Sequence, residues 1–262
     1  MTENIENINN DLTLNATIGN LDGVKYLIEN GANINGRDSG GDTALICAVS
    51  MGHFKVVKYL VENRADIEEE DNDGNTALML ALKKKKLKIA EYLIEKEANI
   101  NTKDKNKITT LMSASSIGSL KIVEYLIENK LDINDKDKDG LTALIWALRN
   151  GKSDVAEYLI KKGADINKKD NNENTTLMWA SINSNNLEIV KHLIKSGMYV
   201  NAKGYNDNTA LIIASINGVT KMVECLIENG ADVNIKNKEG KTALDLAKNE
   251  DIKKLLEKAM GK

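Results

Sequence analysis

The sequence predicts an all-α fold, an α-solenoid in which one short helical unit is laid down eight times. Three observations predict it. A threonine-led motif returns every 33 or 34 residues along the 262-residue chain, and a second apolar motif keeps the same phase. Aromatic residues make up only 4%, with a single Phe, which leaves little material for one large central core. Yet 42% apolar residues is too many for a disordered polymer, so the core has to be shared between neighbouring units.

The first motif reads DTALICAV, NTALMLAL, ITTLMSAS, LTALIWAL, NTTLMWAS, NTALIIAS and KTALDLAK, with threonines at Thr43, Thr76, Thr109, Thr142, Thr175, Thr209 and Thr242. The spacing is 33 residues five times and 34 once, the extra residue lying within 181–190. The second motif runs from VKYLIEN at 24–30 through VEYLIEN at 123–129 to VECLIEN at 223–229. Counting back 33 from Thr43 lands on Asn10, so a divergent first unit precedes the others. The expected units are about 7–36, 40–69, 73–102, 106–135, 139–168, 172–202, 206–235 and 239–262, the outer two acting as caps of a single array over 1–262.

Each unit reads as helix, turn, helix and a short hairpin finger. In the unit at 139–168, residues placed 100° apart put Leu144, Ile145, Ala147 and Leu148 on one broad face. In its second helix Val155 and Leu159 point together, flanked by Tyr158 and Ile160. Gly151 separates the helices, and Gly163 ends the second where a left-handed residue is favoured. The segment after it alternates apolar and polar residues and then turns, as a small hairpin does. The helix-end glycine becomes Arg64, Glu97 and Lys130 in three units, and the finger glycine becomes Lys107, Glu173 and Asp207. Each costs about 1 kcal/mol if the backbone stays left-handed, so the units at 40–135 are expected to be less stable than those at 139–235.

The ends fit a finite, monomeric array. The first unit carries Asn9, Asn10, Asp11, Thr13 and Asn15 where later units are apolar or small, and the last helix bears Lys253, Lys254, Glu257 and Lys258. The start is polar and acidic with no apolar core, and the longest apolar runs are six residues, against the roughly twenty of a membrane helix. Cys47 and Cys225 fall in different units and are expected to stay reduced in a cytoplasmic protein. Export without a signal leaves no hydropathic trace and stays open. A net charge of −3 argues against general nucleic-acid affinity.

The pattern resembles the ankyrin repeat, and the resemblance covers essentially the whole chain. Thr-Ala-Leu or Thr-Thr-Leu followed by Ile or Met, as at Thr142, Ala143, Leu144 and Ile145, stands where that family carries Thr-Pro-Leu-His. Proline is absent throughout, and Met79, Met112 and Met178 occupy the His position. The resemblance implies an interlocking hydrogen-bond role for that His, which is replaced here by apolar packing.

No phosphate loop, clustered Cys/His set or nucleophile–base signature is present, so neither catalysis, cofactor, metal nor small-molecule substrate is expected. His53 follows Gly52 at an inter-helix turn and reads as a local contact; His192 replaces the second-helix Tyr as a packing variant. Tyr26, Tyr59, Tyr92, Tyr125 and Tyr158 recur once per unit beside the buried stripe and read as packing. Lys83–Lys86 and Glu68–Asp71 are the charge runs, solvated loops or a steering pair beside one groove.

On the wheel that buries Leu144 and Leu148, Trp146 lies about 180° from the core, and Trp179 repeats that slot one unit later. Cys47, Leu80, Ser113, Ile213 and Leu246 fill it elsewhere. The resemblance implies that first helices line a concave face, so a floor from Leu80 to Ile213 centred on the tryptophans is the expected binding site. It also implies contributions from Ile108 and Leu141 before the threonine and from Arg149, Asn150, Ile182 and Ile216 at the helix end. Asp139 and Glu173 in the adjoining fingers favour a Lys or Arg presented to the indole faces. The expected function is a non-enzymatic module binding a protein segment, with no nucleic acid or membrane involved. The alternative is an exported effector or inhibitor that blocks a target enzyme through the same surface.

Overall fold

The computed structural model describes residues 2–261, with side chains from Ile8 onward; Met1, Lys262 and the first side chains of the polar start lie outside that description. The chain is all-α, and its packing divides it into two compact units, residues 1–114 and 115–262, with the boundary inside one helix.

In the first unit the helices come in pairs: α1 (Thr2–Ile18) with α2 (Leu21–Glu29), α3 (Ala44–Met51) with α4 (Phe54–Glu62), and α5 (Ala77–Lys83) with α6 (Leu87–Glu95). First helices pack on first helices, α1 on α3 and α3 on α5, while α2, α4 and α6 form a second layer. The boundary helix is α7 (Thr110–Ile117). The second unit continues with α8 (Leu120–Glu128), α9 (Ala143–Arg149), α10 (Ser153–Lys161), α11 (Thr176–Ala180), α12 (Leu187–Lys195), α13 (Ala210–Asn217), α14 (Thr220–Glu228) and α15 (Glu250–Ala259). There α9, α11 and α13 form one layer, and α8, α10, α12 and α14 the other, with α15 closing on α14.

The recurring residues explain the layers. Ala48, Ala81, Ala147, Ala180 and Ala214 are fully buried, small enough for first helices to approach closely, and Leu60, Leu93, Leu126, Leu159, Leu193 and Leu226 fill the joint to the second layer. The threonines of the first six motifs cap their helices: Thr142 Oγ1 accepts from the Ile145 amide at 3.4 Å and Thr209 Oγ1 from Ile212 at 3.3 Å. The buried methionines do more than pack. The Sδ atoms of Met112 and Met178 accept from the Thr109 and Thr175 amides, both at 3.4 Å, so a weak sulfur acceptor serves at the start of the helix.

Three local expectations change. The last first-helix, KTALDLAK, forms turns over 243–246, with the Asp245 carboxylate taking both the Thr242 amide and hydroxyl at 2.8 Å. The inserted residue in 181–190 shortens α11 and adds a 3-10 turn at Ser184–Asn186; Asn186 is fully buried and donates to the Leu148 and Ala180 carbonyls. In the first unit Asn9 and Thr13 are buried, not turned outward.

All six non-glycine residues at glycine positions are left-handed, from Asp207 at φ 56° to Arg64 at φ 68°. Lys85 and Asn206 join them. Reverting Arg64, Glu97 and Lys130 together to glycine is expected to raise stability by up to about 1 kcal/mol per site, read by urea unfolding. Hydrogen exchange is expected to show faster opening over 40–135 than over 139–235; slower opening there would contradict the strain argument.

Candidate partner-binding surface

The surface in the second unit starts from the fingers. Asp137, five residues before Thr142, turns its carboxylate back on its own backbone: Oδ1 accepts from the Asp139 and Leu141 amides, both at 2.9 Å. Asp170 repeats this with Asn172 at 2.8 Å and Asn174 at 2.9 Å. Such Asx turns tighten the loop and draw the carboxylate out of water. Both aspartates are buried, so the second oxygen needs a donor of its own.

Tryptophan supplies it. Trp146 Nε1 donates to Asp137 Oδ2 at 2.9 Å, and Trp179 Nε1 donates to Asp170 Oδ2 at 3.0 Å. Asn174 Nδ2 adds a further bond to Asp170 Oδ2. Indole is a donor only, which suits an ionised carboxylate, and the bond holds each ring edge-on to its finger. The rings are consequently half-buried: not turned fully to solvent, as the helical wheel suggests, and not sealed inside.

Between the rings lies Arg149, one turn after Trp146 on α9. Its guanidinium carbon is 5.6 Å from the Trp146 ring centre and 5.5 Å from that of Trp179. The cation on the indole faces is therefore the chain's own. Asp139 and Glu173 do not bond the indoles; Glu173 pairs with Lys169 at 2.9 Å. Beside Trp179 an apolar cleft of about 190 Å³ opens among Met178, Ile182, Tyr205 and Ile213. Tyr205 is 65% exposed.

The expected site residues separate into two groups. Trp146, Trp179, Arg149, Ile182 and Ile213 meet around these contacts, with exposed Asn150 beside Arg149 and exposed Ile216 one turn after Ile213. Leu80 and Leu141 do not belong to an open floor: they are 6% and 4% exposed. Leucine has no polar atom to hold it towards a finger carboxylate, so burial is its lowest-energy choice. Leu141 is also drawn in by its paired backbone bonds with Asp137. Ser113, in the same slot, is buried as well. Ile108, in the first unit, is half-buried.

Residues missed by sequence reasoning are Asp137, Asp170 and Tyr205. The signal for the first two was present: an Asp nine residues before each Trp, with the capping Thr between them. Tyr205 stands at a finger tip where Gly204 replaces the aspartate, and no period announces it.

Other singled-out residues are accounted for within the fold. His53 Nε2 contacts the Thr17 carbonyl at 2.9 Å, a bond to the preceding repeat and not the local turn contact expected, whereas His192 is exposed. The tyrosine column is uneven: Tyr92 is buried, but Tyr26 is 65% exposed. The acidic run is largely spent internally, and the basic run only through Lys83. Lys83 Nζ binds Asp104 Oδ2 at 2.7 Å and also Asn75; Glu69 pairs with Arg37; and Glu68 Oε1 accepts from the Asn99 amide at 2.8 Å. Burial pushes the Cys47 thiol up to about 11, with the Thr17 hydroxyl pulling slightly the other way, and burial also raises Cys225. Among the described residues no helix is long and apolar enough to cross a membrane.

A family model described as ankyrin repeats (3 copies) matches residues 12–104, 98–170 and 177–261, and one described as ankyrin repeats (many copies) matches 151–194. No curated protein matches the chain.

Trp146 is the donor to Asp137 Oδ2, whereas Asp170 Oδ2 keeps Asn174 when Trp179 is lost, so Trp146→Phe should lower stability by about 1–3 kcal/mol in urea unfolding and Trp179→Phe by less. Arg149→Gln, which removes an exposed cation, should cost less than about 1 kcal/mol. Equal losses at all three positions would contradict the division. Cys47 should alkylate slowly at pH 8 and accelerate about tenfold per pH unit until near 11, because only the thiolate reacts.

Proposed function

The chain belongs to the ankyrin-repeat family, and we propose that it acts as a non-enzymatic module that holds a segment of a partner protein against the first-helix and finger surface of residues 115–262. Ankyrin repeats generally serve protein–protein interaction, and the family is typically without enzymatic activity. One observation carries the reading: a half-open aromatic and apolar surface formed by Trp146, Trp179, Tyr205, Ile182 and Ile213 beside the exposed Arg149. Trp, Tyr and Arg are the side chains that dominate interface energetics, and folding alone gains little by leaving them accessible.

Rigidity adds to the case. The indoles are anchored by Asp137 and Asp170, so a partner meets rings whose rotamers are already set and little conformational entropy is lost on contact. Asn150 and Ile216 extend the same surface at its rim. The reading takes the eight repeats as one module working as a monomer in the cytoplasm, where Cys47 and Cys225, both free and both raised in pKa, stay reduced.

Testing the surface by trimming both tryptophans to alanine would confuse binding with folding, since Asp137 Oδ2 would lose its donor and Asp170 Oδ2 one of its two. Ile182→Glu with Ile213→Glu avoids that. A partner captured on the immobilised chain is expected to bind this variant at least tenfold more weakly, with the thermal midpoint within a few degrees. Equal binding by the variant, or capture of no partner at all, would reject the assignment.

A further inference from the structure

Arg149 is exposed, yet it is held in place by two ring contacts and nothing else among the described residues: no hydrogen bond or ion pair engages its guanidinium. Ring contacts at 5.6 and 5.5 Å leave the five N–H donors of the guanidinium available to a ligand. We propose that this guanidinium is a fixed carboxylate receptor: the partner segment places an Asp or Glu on Arg149 and a large apolar side chain in the cleft beside Trp179. The inference rests on the interaction-module reading and gives that partner a chemistry.

The sign of the charge follows from the geometry. The indole faces that would attract a partner's Lys or Arg already carry a cation, so a second one is repelled. The nearby carboxylates do not compete for Arg149. Asp137 takes three donors and Asp170 four, both buried, and Glu173 is paired with Lys169. On the fingers Lys136 and Lys138 stand exposed alongside Asp139, so the approach is not dominated by negative charge. A carboxylate can then take two parallel N–H bonds from a fork that is already oriented, the geometry in which arginine exceeds lysine.

The second anchor is set by Trp179. It touches both Arg149, from the preceding repeat, and the 190 Å³ cleft shared with Ile213 and Tyr205 of the following one. That cleft has room for one large aliphatic or aromatic side chain. Both partner side chains therefore contact the same indole, which sets a short spacing between them. Residues i and i+2 of an extended segment, about 6.6–7 Å apart, meet that spacing; so do i and i+3 or i+4 of a helix, about 5–6 Å apart.

The test is selection of a random-peptide phage library on the full chain, followed by anisotropy titration of synthetic copies of the selected peptides. Enrichment of Asp or Glu two to four residues from Leu, Ile, Met or Phe is expected. Arg149→Gln should weaken those peptides about tenfold or more, and Arg149→Lys should restore only part of the loss. Alanine at the acidic peptide position should cost as much on the wild-type chain and almost nothing on Arg149→Gln, the signature of a direct pair. Peptides rich in Lys or Arg, or acidic peptides bound by Arg149→Gln within twofold of wild type, overturn the proposal while leaving the interaction module standing. A library that yields no binder overturns both.

Discussion

A single hydrogen-bonding device organises most repeats: a side-chain oxygen, usually of a carboxylate, five residues before the threonine, that turns back on its own finger. Asp71 Oδ1 accepts from Asp73 and Asn75, Asp104 from Asn106 and Ile108, Asp137 from Asp139 and Leu141, and Asp170 from Asn172 and Asn174. Asn237 does the same with Glu239 and Lys241. The turn brings the threonine to the position where it caps the first helix, and so sets where that helix begins.

The same device creates a demand that the repeats meet differently. One carboxylate oxygen is consumed by the turn; the other, drawn out of water, needs a donor. Asp71 finds it in the Asn75 amide of its own finger, and Asp104 in Lys83. Asp137 and Asp170 find it in the tryptophans nine residues on. At Gly204 the carboxylate is missing, and Ile213, in the slot of the tryptophans, faces an apolar cleft instead. A surface with two anchored indoles, a stacked arginine and an apolar recess thus emerges from variation in how one buried oxygen is satisfied. Structure and recognition are not separable at Trp146 and Trp179, where one edge of the ring serves the finger and the faces serve the surface.

Backbone strain runs through the same framework. Arg64, Glu97 and Lys130 end second helices in the left-handed region that Gly163 adopts without a Cβ. The fold over-determines these conformations, because the layers on either side leave the chain one way to turn. The left-handed Lys85, Lys107 and Glu173 lie outside helices as well, while Asn206 and Asp207 fall in the short 3-10 turn Tyr205–Asp207.

Period alone determined the architecture. Thirty-three-residue spacing of Thr-Ala-Leu, with the second motif in phase, specifies paired helices, their buried faces, the capping threonines and the left-handed positions, since all of these are local or nearest-neighbour properties of a repeat. The pairing of Trp with Asp at nine residues was written in the sequence too, but a helical wheel treats a helix in isolation and has no finger on it. What only the tertiary structure decided is how side chains in one slot part ways. Leu80 and Ser113 turn inward, Trp146 and Trp179 stand half-open, and Arg149 slides between rings 33 residues apart. The physical reason is that burial and hydrogen-bond satisfaction are settled by groups from adjacent repeats, which no single unit's pattern contains.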